Sequence, residues 1–205
     1  GLPVPIVAIE REDQYICSVN TDNYMGGYQA AGLLAKQDCD ILLHINSPCN
    51  EKIPASGRIW GFTGFCEEHG LRSKLILREF GHTHEDVKAQ MTDVLELIET
   101  AYASQKKGIF VSSDTLANIL INLLFRKYGK LPEDYLIVGF DNSLISREAV
   151  IPISTVGQQI DKLAYEAVSL LVEQMEERKK RRPVPLKEPI HKIITPVLYR
   201  RETTG

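Results

Sequence analysis

The run 135–143, YLIVGFDNS, is an apolar stretch that breaks at Gly139 and then delivers a carboxylate, Asp141, just beyond it. In an open α/β sheet, the crevice outside the carboxyl ends of the strands is where ligands bind. A turn carrying a purely structural acid has the same local signature, so the reading needs support from the surrounding chain. Other chemistry-bearing residues give less. His82, His84 and Glu85 form H-T-H-E, which lacks the H-E-x-x-H spacing that puts two metal ligands on one helical face. They are expected to open a helix, and no metal is expected. Gly57, Gly61 and Gly64 do not follow a strand with G-x-G-x-x-G spacing, so a dinucleotide fingerprint is absent. Ser56 and Cys66 have no G-x-S-x-G context and no identifiable base. With no nucleophile, metal set or phosphate loop beside the strand-end acid, an enzyme is disfavoured and no cofactor is expected.

The elements that must position Asp141 follow from alternation along the chain. Short β-branched runs at 5–10, 15–19, 40–45, 74–80, 108–111, 135–139, 154–156 and 190–198 predict strands. Helical patterns fill 24–36, 55–69, 85–103, 115–128 and 158–181. This order implies an α/β fold of βαβ units with largely parallel sheets. In the helix from Glu85, residues Val87, Met91, Val94, Leu95 and Ile98 share one face, which is expected to pack on a sheet. The helix from Thr115 differs, because Leu116, Ile119, Leu120, Ile121, Leu123, Leu124 and Phe125 wrap most of its circumference. Such a helix is buried on more than one side, either sandwiched in the core or in contact with a second copy of the chain. Asp114 before it reads as an N-cap. Breaks at 20–23, at Pro152 and at 183–189 suggest two lobes joined by several crossings, an arrangement that allows hinged closure over a cleft.

Composition sets the class. The chain has 205 residues, 43% hydrophobic and 25% charged, with a formal net charge of −3. That length suffices for one large domain or two small lobes. An acidic balance supplies no overall basic field, so nucleic-acid binding by these residues themselves is not indicated. The basic run Arg178–Arg182 is expected to offset the negative end of the helix before it. The apolar segments are too short to span a bilayer and no export signal opens the sequence, so the expected location is the cytoplasm. Cys17, Cys39, Cys49 and Cys66 have neither C-x-x-C spacing nor a histidine cluster, and are expected to be reduced.

Taken in order, PVPIVAIERE, SVNTDNYMGGYQAAGLL, SGRIWGFTGF, GIFVSSDTLA, YLIVGFDNS, ISTVGQQIDKLAYEAVSLLVEQM and ITPVLYRRETT resemble the effector-binding core of the LacI/GalR family of bacterial transcriptional repressors. The match is collinear over nearly the whole chain. It implies the fold of the type I periplasmic binding proteins, two α/β lobes around a small-molecule cleft. In this family a helix-turn-helix domain and the first βα units precede the strand PIVAIE, so the chain resembles a fragment. The lobes are then expected as 1–23 with 154–182, an incomplete N-terminal lobe, and 24–153 with 183–205. The reduced lobe would expose a sheet edge and apolar surface, which invites self-association.

The resemblance also assigns ligand chemistry. Arg58 in GRIWGF falls at a cleft arginine, whose planar fork suits vicinal hydroxyls, a carboxylate or a phosphate. Asp141 falls at the cleft aspartate, whose oxygens accept from adjacent sugar hydroxyls. Phe80 matches an aromatic that covers a sugar or stacks on a base. Ser113 matches a hydrogen-bond donor, Gln158 a polar residue opening a helix, and Glu10 a position usually held by the shorter aspartate. The implied protein is a cytoplasmic repressor core that senses a sugar or sugar phosphate, forms a homodimer, and meets operator DNA through a domain outside this chain. A free-standing solute-binding protein of the same fold is the alternative.

Overall fold

The computed structural model describes residues 4–11, 13–48, 53–182 and 188–205. Strands β1 (Val7–Ile9) and β2 (Cys17–Thr21) come first, followed by α1 (Asn23–Ala35), β3 (Ile41–Asn46), α2 (Ser56–Glu68), β4 (Ser73–Leu77) and α3 (His84–Ala101). Then come β5 (Lys107–Val111), α4 (Asp114–Tyr128), β6 (Tyr135–Phe140), α5 (Leu144–Glu148), β7 (Ser154–Gly157) and α6 (Ile160–Lys179). The chain ends with β8 (His191–Ile194), β9 (Val197–Tyr199) and a 3-10 turn, Glu202–Thr204.

Two sheets result. The larger has the order β4-β3-β5-β6-β7-β9 and is parallel except for β9, which pairs antiparallel with β7. Its central strands β3, β5 and β6 are buried on both faces and read as near-continuous apolar runs, as a parallel sheet covered by helices requires, whereas the edge strands β4 and β9 are partly exposed. Leu43, Ile45, Ile109, Val111 and Ile137 point to one core with Met91, Val94 and Ile98 of α3 and Leu120 and Leu124 of α4. The alternate residues Leu42, Phe110, Val138 and Phe140 point to a second core with Ala30 and Leu34 of α1 and Phe62 of α2. Helices α1 and α2 approach until a Cβ on Gly61 would lie 1.8 Å from the Tyr24 carbonyl oxygen. The glycines of SGRIWGFTGF therefore serve helix packing.

The smaller sheet is parallel, β1-β2-β8, and packs Val19 and Ile194 on Leu163 and Ala167 of α6. Three neighbouring crossings join the sheets, at Asp22, at Gln158–Gln159 and at Thr195–Pro196. They are tied together: the Asp22 amide donates to the Ile194 carbonyl at 2.9 Å, and Gln159 Nε2 donates to the Thr195 carbonyl at 2.7 Å.

The expected lobe boundaries change at two places. The strand at 154–157 belongs to the larger sheet, because it pairs with β6 and its side chains are buried against that sheet. Pro152 is thus a turn before the strand, and the crossing follows Gly157. The expected strand 190–198 is two strands in different sheets, broken at Pro196, which has no backbone donor for a ladder. His191–Ile194 accordingly joins the smaller sheet. Of the third expected break, 183–187 lies outside the described residues.

Helix α4 is wrapped inside the chain. Ala117, Ile119, Leu120, Ile121 and Leu124 are buried, and Leu116 and Leu123 pack on the same core, leaving Phe125 at 37% exposure. Its apolar circumference is satisfied internally and needs no second copy. Its N-cap is Ser113, whose side chain accepts from the Leu116 amide, whereas Asp114 is the first helical residue. Thr83 and Asp86 form a capping box at the start of α3, so H-T-H-E opens a helix. Cys17, Cys39 and Cys66 are free thiols; Cys49 lies outside the described residues. No helix among the described residues is long and apolar enough to cross a membrane.

Candidate functional site

Asp141 follows β6 with φ +108°, and Asn142 after it has φ +52°. Non-glycine residues avoid such values unless their surroundings over-determine them, and such outliers cluster at functional sites. Three struts impose the turn. The Asp141 amide donates to the Val156 carbonyl at 2.8 Å. Asp114, 1% exposed, accepts from the Ser143 amide at 2.8 Å, the Ser143 hydroxyl at 2.9 Å and the Thr155 hydroxyl at 2.6 Å. Arg201 donates to Asn142 Oδ1 at 2.5 Å and to the Ile153 carbonyl at 2.8 Å. Gly139 makes room, because a Cβ there would lie 2.3 Å from Asp114 Oδ1.

The Asp141 carboxylate faces the crossings. Its Oδ1 accepts from Gln158 Nε2 at 2.8 Å. Burial pushes this carboxyl up; the Gln158 bond and the Arg58 charge oppose the shift, and the Glu10 charge adds to it. Glu10, at φ +53°, follows β1 in the smaller sheet. Its Oε1 accepts from the Thr21 amide at 2.5 Å and lies 2.7 Å from the Thr21 hydroxyl, which is also 3.1 Å from Gln158 Oε1. A continuous chain Glu10, Thr21, Gln158, Asp141 thus runs from one sheet to the other.

Arg58 rises from the first turn of α2 and is held rigidly. Its Nε donates to Asn23 Oδ1 at 2.8 Å, its Nη1 donates to the Ser112 carbonyl at 2.6 Å, and its guanidinium lies 3.5 Å above the Phe140 ring. Stacking and fixed hydrogen bonds pre-organise the fork, which lowers the entropy lost when it engages a ligand. Asn23, itself 4% exposed, donates to the Thr21 carbonyl at 3.1 Å.

The structure therefore gathers Asp141, Arg58, Glu10 and Gln158. The other two candidates sit differently. Phe80 is 6% exposed in the main core, beyond the end of β4 at Leu77. Ser113 spends its side chain capping α4, and its neighbour Ser112 is the one that touches Arg58. Sequence reasoning missed Thr21, Asn23, Asp114 and Arg201. The polar run at 20–23 held a signal, since buried Thr and Asn at a chain crossing have backbone and ligand-site groups to satisfy. Nothing near Asp114 or Arg201 in sequence marks them as struts for residue 141. Among the described residues no cluster of His, Cys, Asp and Glu is fit to hold a metal.

Two sheets of βαβ units, joined by adjacent crossings and carrying an acid and a fixed guanidinium where they meet, define a binding-protein architecture. Comparison agrees: residues 27–204 match the periplasmic binding protein-like domain, and the chain belongs to that family. It is 30% identical over 205 residues to the ribose operon repressor of Halalkalibacterium halodurans, covering all of this chain and 58% of that protein. It resembles the structure of a periplasmic binding protein/LacI transcriptional regulator from Alkaliphilus metalliredigens complexed with D-xylulofuranose. There the TM-score is 0.78 at 26% identity, with 99% of this chain and 71% of the other covered. The ribose operon repressor protein of Lactobacillus acidophilus shares the fold at a TM-score of 0.80 and 19% identity, covering 100% of this chain and 71% of that one. The LacI/GalR resemblance read from the motifs is thus met by relatives along the whole chain, although the chain spans little more than half of the curated relative.

Proposed function

We propose that this chain is the ligand-sensing core of a bacterial transcriptional repressor, and that a small sugar binds where the two sheets meet. The observation that carries the reading is the pairing of Asp141, whose strained turn is fixed by three struts, with a guanidinium held at three points. Asp141 would accept from two adjacent hydroxyls and Arg58 would donate to a third oxygen, which matches a polyol better than an apolar ligand. A repressor of ribose genes and a regulator holding D-xylulofuranose among the relatives support a sugar as the ligand class. Glu10 and Gln158 line the proposed site on the side of the smaller sheet, whereas Phe80, buried in the main core, and Ser113, which caps α4, lie outside it.

In this reading the lobes are 4–21 with 160–194 and 23–157 with 197–205, and sugar favours the closed form by its differential affinity for the two forms. The protein acts in the cytoplasm as a homodimer without enzymatic activity, and a DNA-binding segment outside this chain meets operator DNA. Closure would change the spacing of paired DNA-binding segments and hence their fit to two half-sites. The test is a gel-shift titration of the complete gene product on DNA upstream of its own gene, with D-ribose, D-xylulose and D-glucose. A sugar-dependent change in DNA affinity is expected. Sequence-specific DNA binding that no sugar alters would overturn the proposal.

A further inference from the structure

The chain Glu10, Thr21, Gln158, Asp141 contains a conflict of donors and acceptors. Thr21 has one hydroxyl proton but two acceptors in range, Glu10 Oε1 at 2.7 Å and Gln158 Oε1 at 3.1 Å. The Gln158 amide is committed at its other end, with Nε2 donating to Asp141 Oδ1 at 2.8 Å. If both carboxyls are ionised, one oxygen pair along the chain faces itself without a proton, a costly arrangement for partly buried groups.

One added proton removes the conflict, and it can sit at either end. With the proton on Glu10, this acid donates to the Thr21 hydroxyl, Thr21 donates to Gln158 Oε1, and Gln158 donates to ionised Asp141. With the proton on Asp141 the amide is turned over: Asp141 donates to Gln158 Oε1, Gln158 Nε2 donates to Thr21, and Thr21 donates to ionised Glu10. Both arrangements satisfy every group, and both leave the Thr21 amide donating to Glu10 Oε1 at 2.5 Å. With no proton the sequence of donors breaks.

We propose that Thr21 is a positioning residue of the effector site, the central link of a hydrogen-bonded wire in which Glu10 and Asp141 share a single proton when the lobes are together. The charged groups around it are Arg58 from α2, which favours ionised Asp141, and Asp114 from α4, which with Glu10 opposes it. Burial of Asp141 works with the latter two. An effector whose hydroxyls donate to both carboxylates takes over the role of the proton, which leaves to solvent. Effector binding therefore strengthens as pH rises through the shared step. This consequence rests on the sugar-site reading, whereas the wire itself is measurable without any sugar.

The experiment is a pH titration of side-chain carboxyl carbons by NMR on the carbon-13-labelled full chain without ligand, assigned with Glu10→Gln and Asp141→Asn. The Glu10 and Asp141 signals are expected to move together through one step. Thr21→Val should uncouple them and weaken the retained proton by about tenfold, roughly one pH unit, and Thr21→Ser should restore the coupled step. Gln158→Leu cuts the wire at a second point and is expected to uncouple the two carboxyls as Thr21→Val does, without the same weakening because it also removes the donor to ionised Asp141; it covers the case of a poorly folded valine variant. Independent titration of the two carboxyls in the wild-type protein, or a coupled step unmoved by both cutting variants, would overturn the proposal. D-ribose and D-xylulose that fail to bind would remove the sugar reading while leaving the titration as it stands.

Discussion

Asp141 and His44 show how single residues set stability and its dependence on pH. The φ of +108° at Asp141 is strained for any side chain, and its carboxylate is partly desolvated. Asp141→Gly is therefore expected to leave the urea midpoint unchanged or raised despite the lost Gln158 bond, and to abolish sugar binding. His44 is fully buried on β3, where its Nδ1–H donates to the Phe110 carbonyl at 3.0 Å and its ring stacks on Phe110 at 4.4 Å. Burial pushes its pKa down from 6.5 to about 4, against the Phe110 bond. A depressed folded value means that the neutral ring stabilises the fold above pH 6.5 and that this contribution is lost as pH falls to about 4. The loss amounts to about 3 kcal/mol, and denaturation midpoints across this window should flatten in His44→Phe. Asp141 was legible in the sequence because a glycine break and an acid after an apolar run mark a strand end. Thr21 and Asn23 were legible only as a polar break at 20–23, because their partners Gln158 and Arg58 are distant in the chain.

At the scale of elements, the turn carrying Asp141 depends on a helix that never touches the proposed ligand. Asp114→Ala would leave the Ser143 amide and the Thr155 hydroxyl without their buried acceptor, at a cost of about 2–4 kcal/mol in urea denaturation. The same change should weaken sugar binding through the loosened turn. The contact of α1 with α2, which seats Arg58, has no space for a methyl group at Gly61. Gly61→Ala is expected to cost at least about 1–3 kcal/mol and to displace Arg58. Hydrophobic periodicity located both helices and the apolar face of α3. It could not assign β7 and β8 to their sheets, because both are short runs without a distinctive pattern. Their allegiance is set by Thr155 reaching Asp114 and by Pro196 ending the ladder.

At the scale of the molecule, the smaller sheet has α6 on it and leaves a second apolar stripe outside. Tyr165, Val168, Val172 and Met175 are 70, 59, 45 and 45% exposed along α6. Self-association of this chain is expected there, visible as a mass above the monomer in sedimentation and reduced by Val168→Glu with Val172→Glu. Unchanged sedimentation in that double variant would place the contact elsewhere. The two-lobed plan was legible from the order of motifs, whereas the polar wire between the lobes emerges only when 10, 21, 141 and 158 meet. The most direct test of the sugar site is isothermal titration of the chain with D-ribose and D-xylulose, repeated on Asp141→Ala and Arg58→Ala. Saturable binding by the native chain, weakened by about tenfold or more in each variant, is the expected result. Binding that both variants retain, or no binding of either sugar, would contradict it.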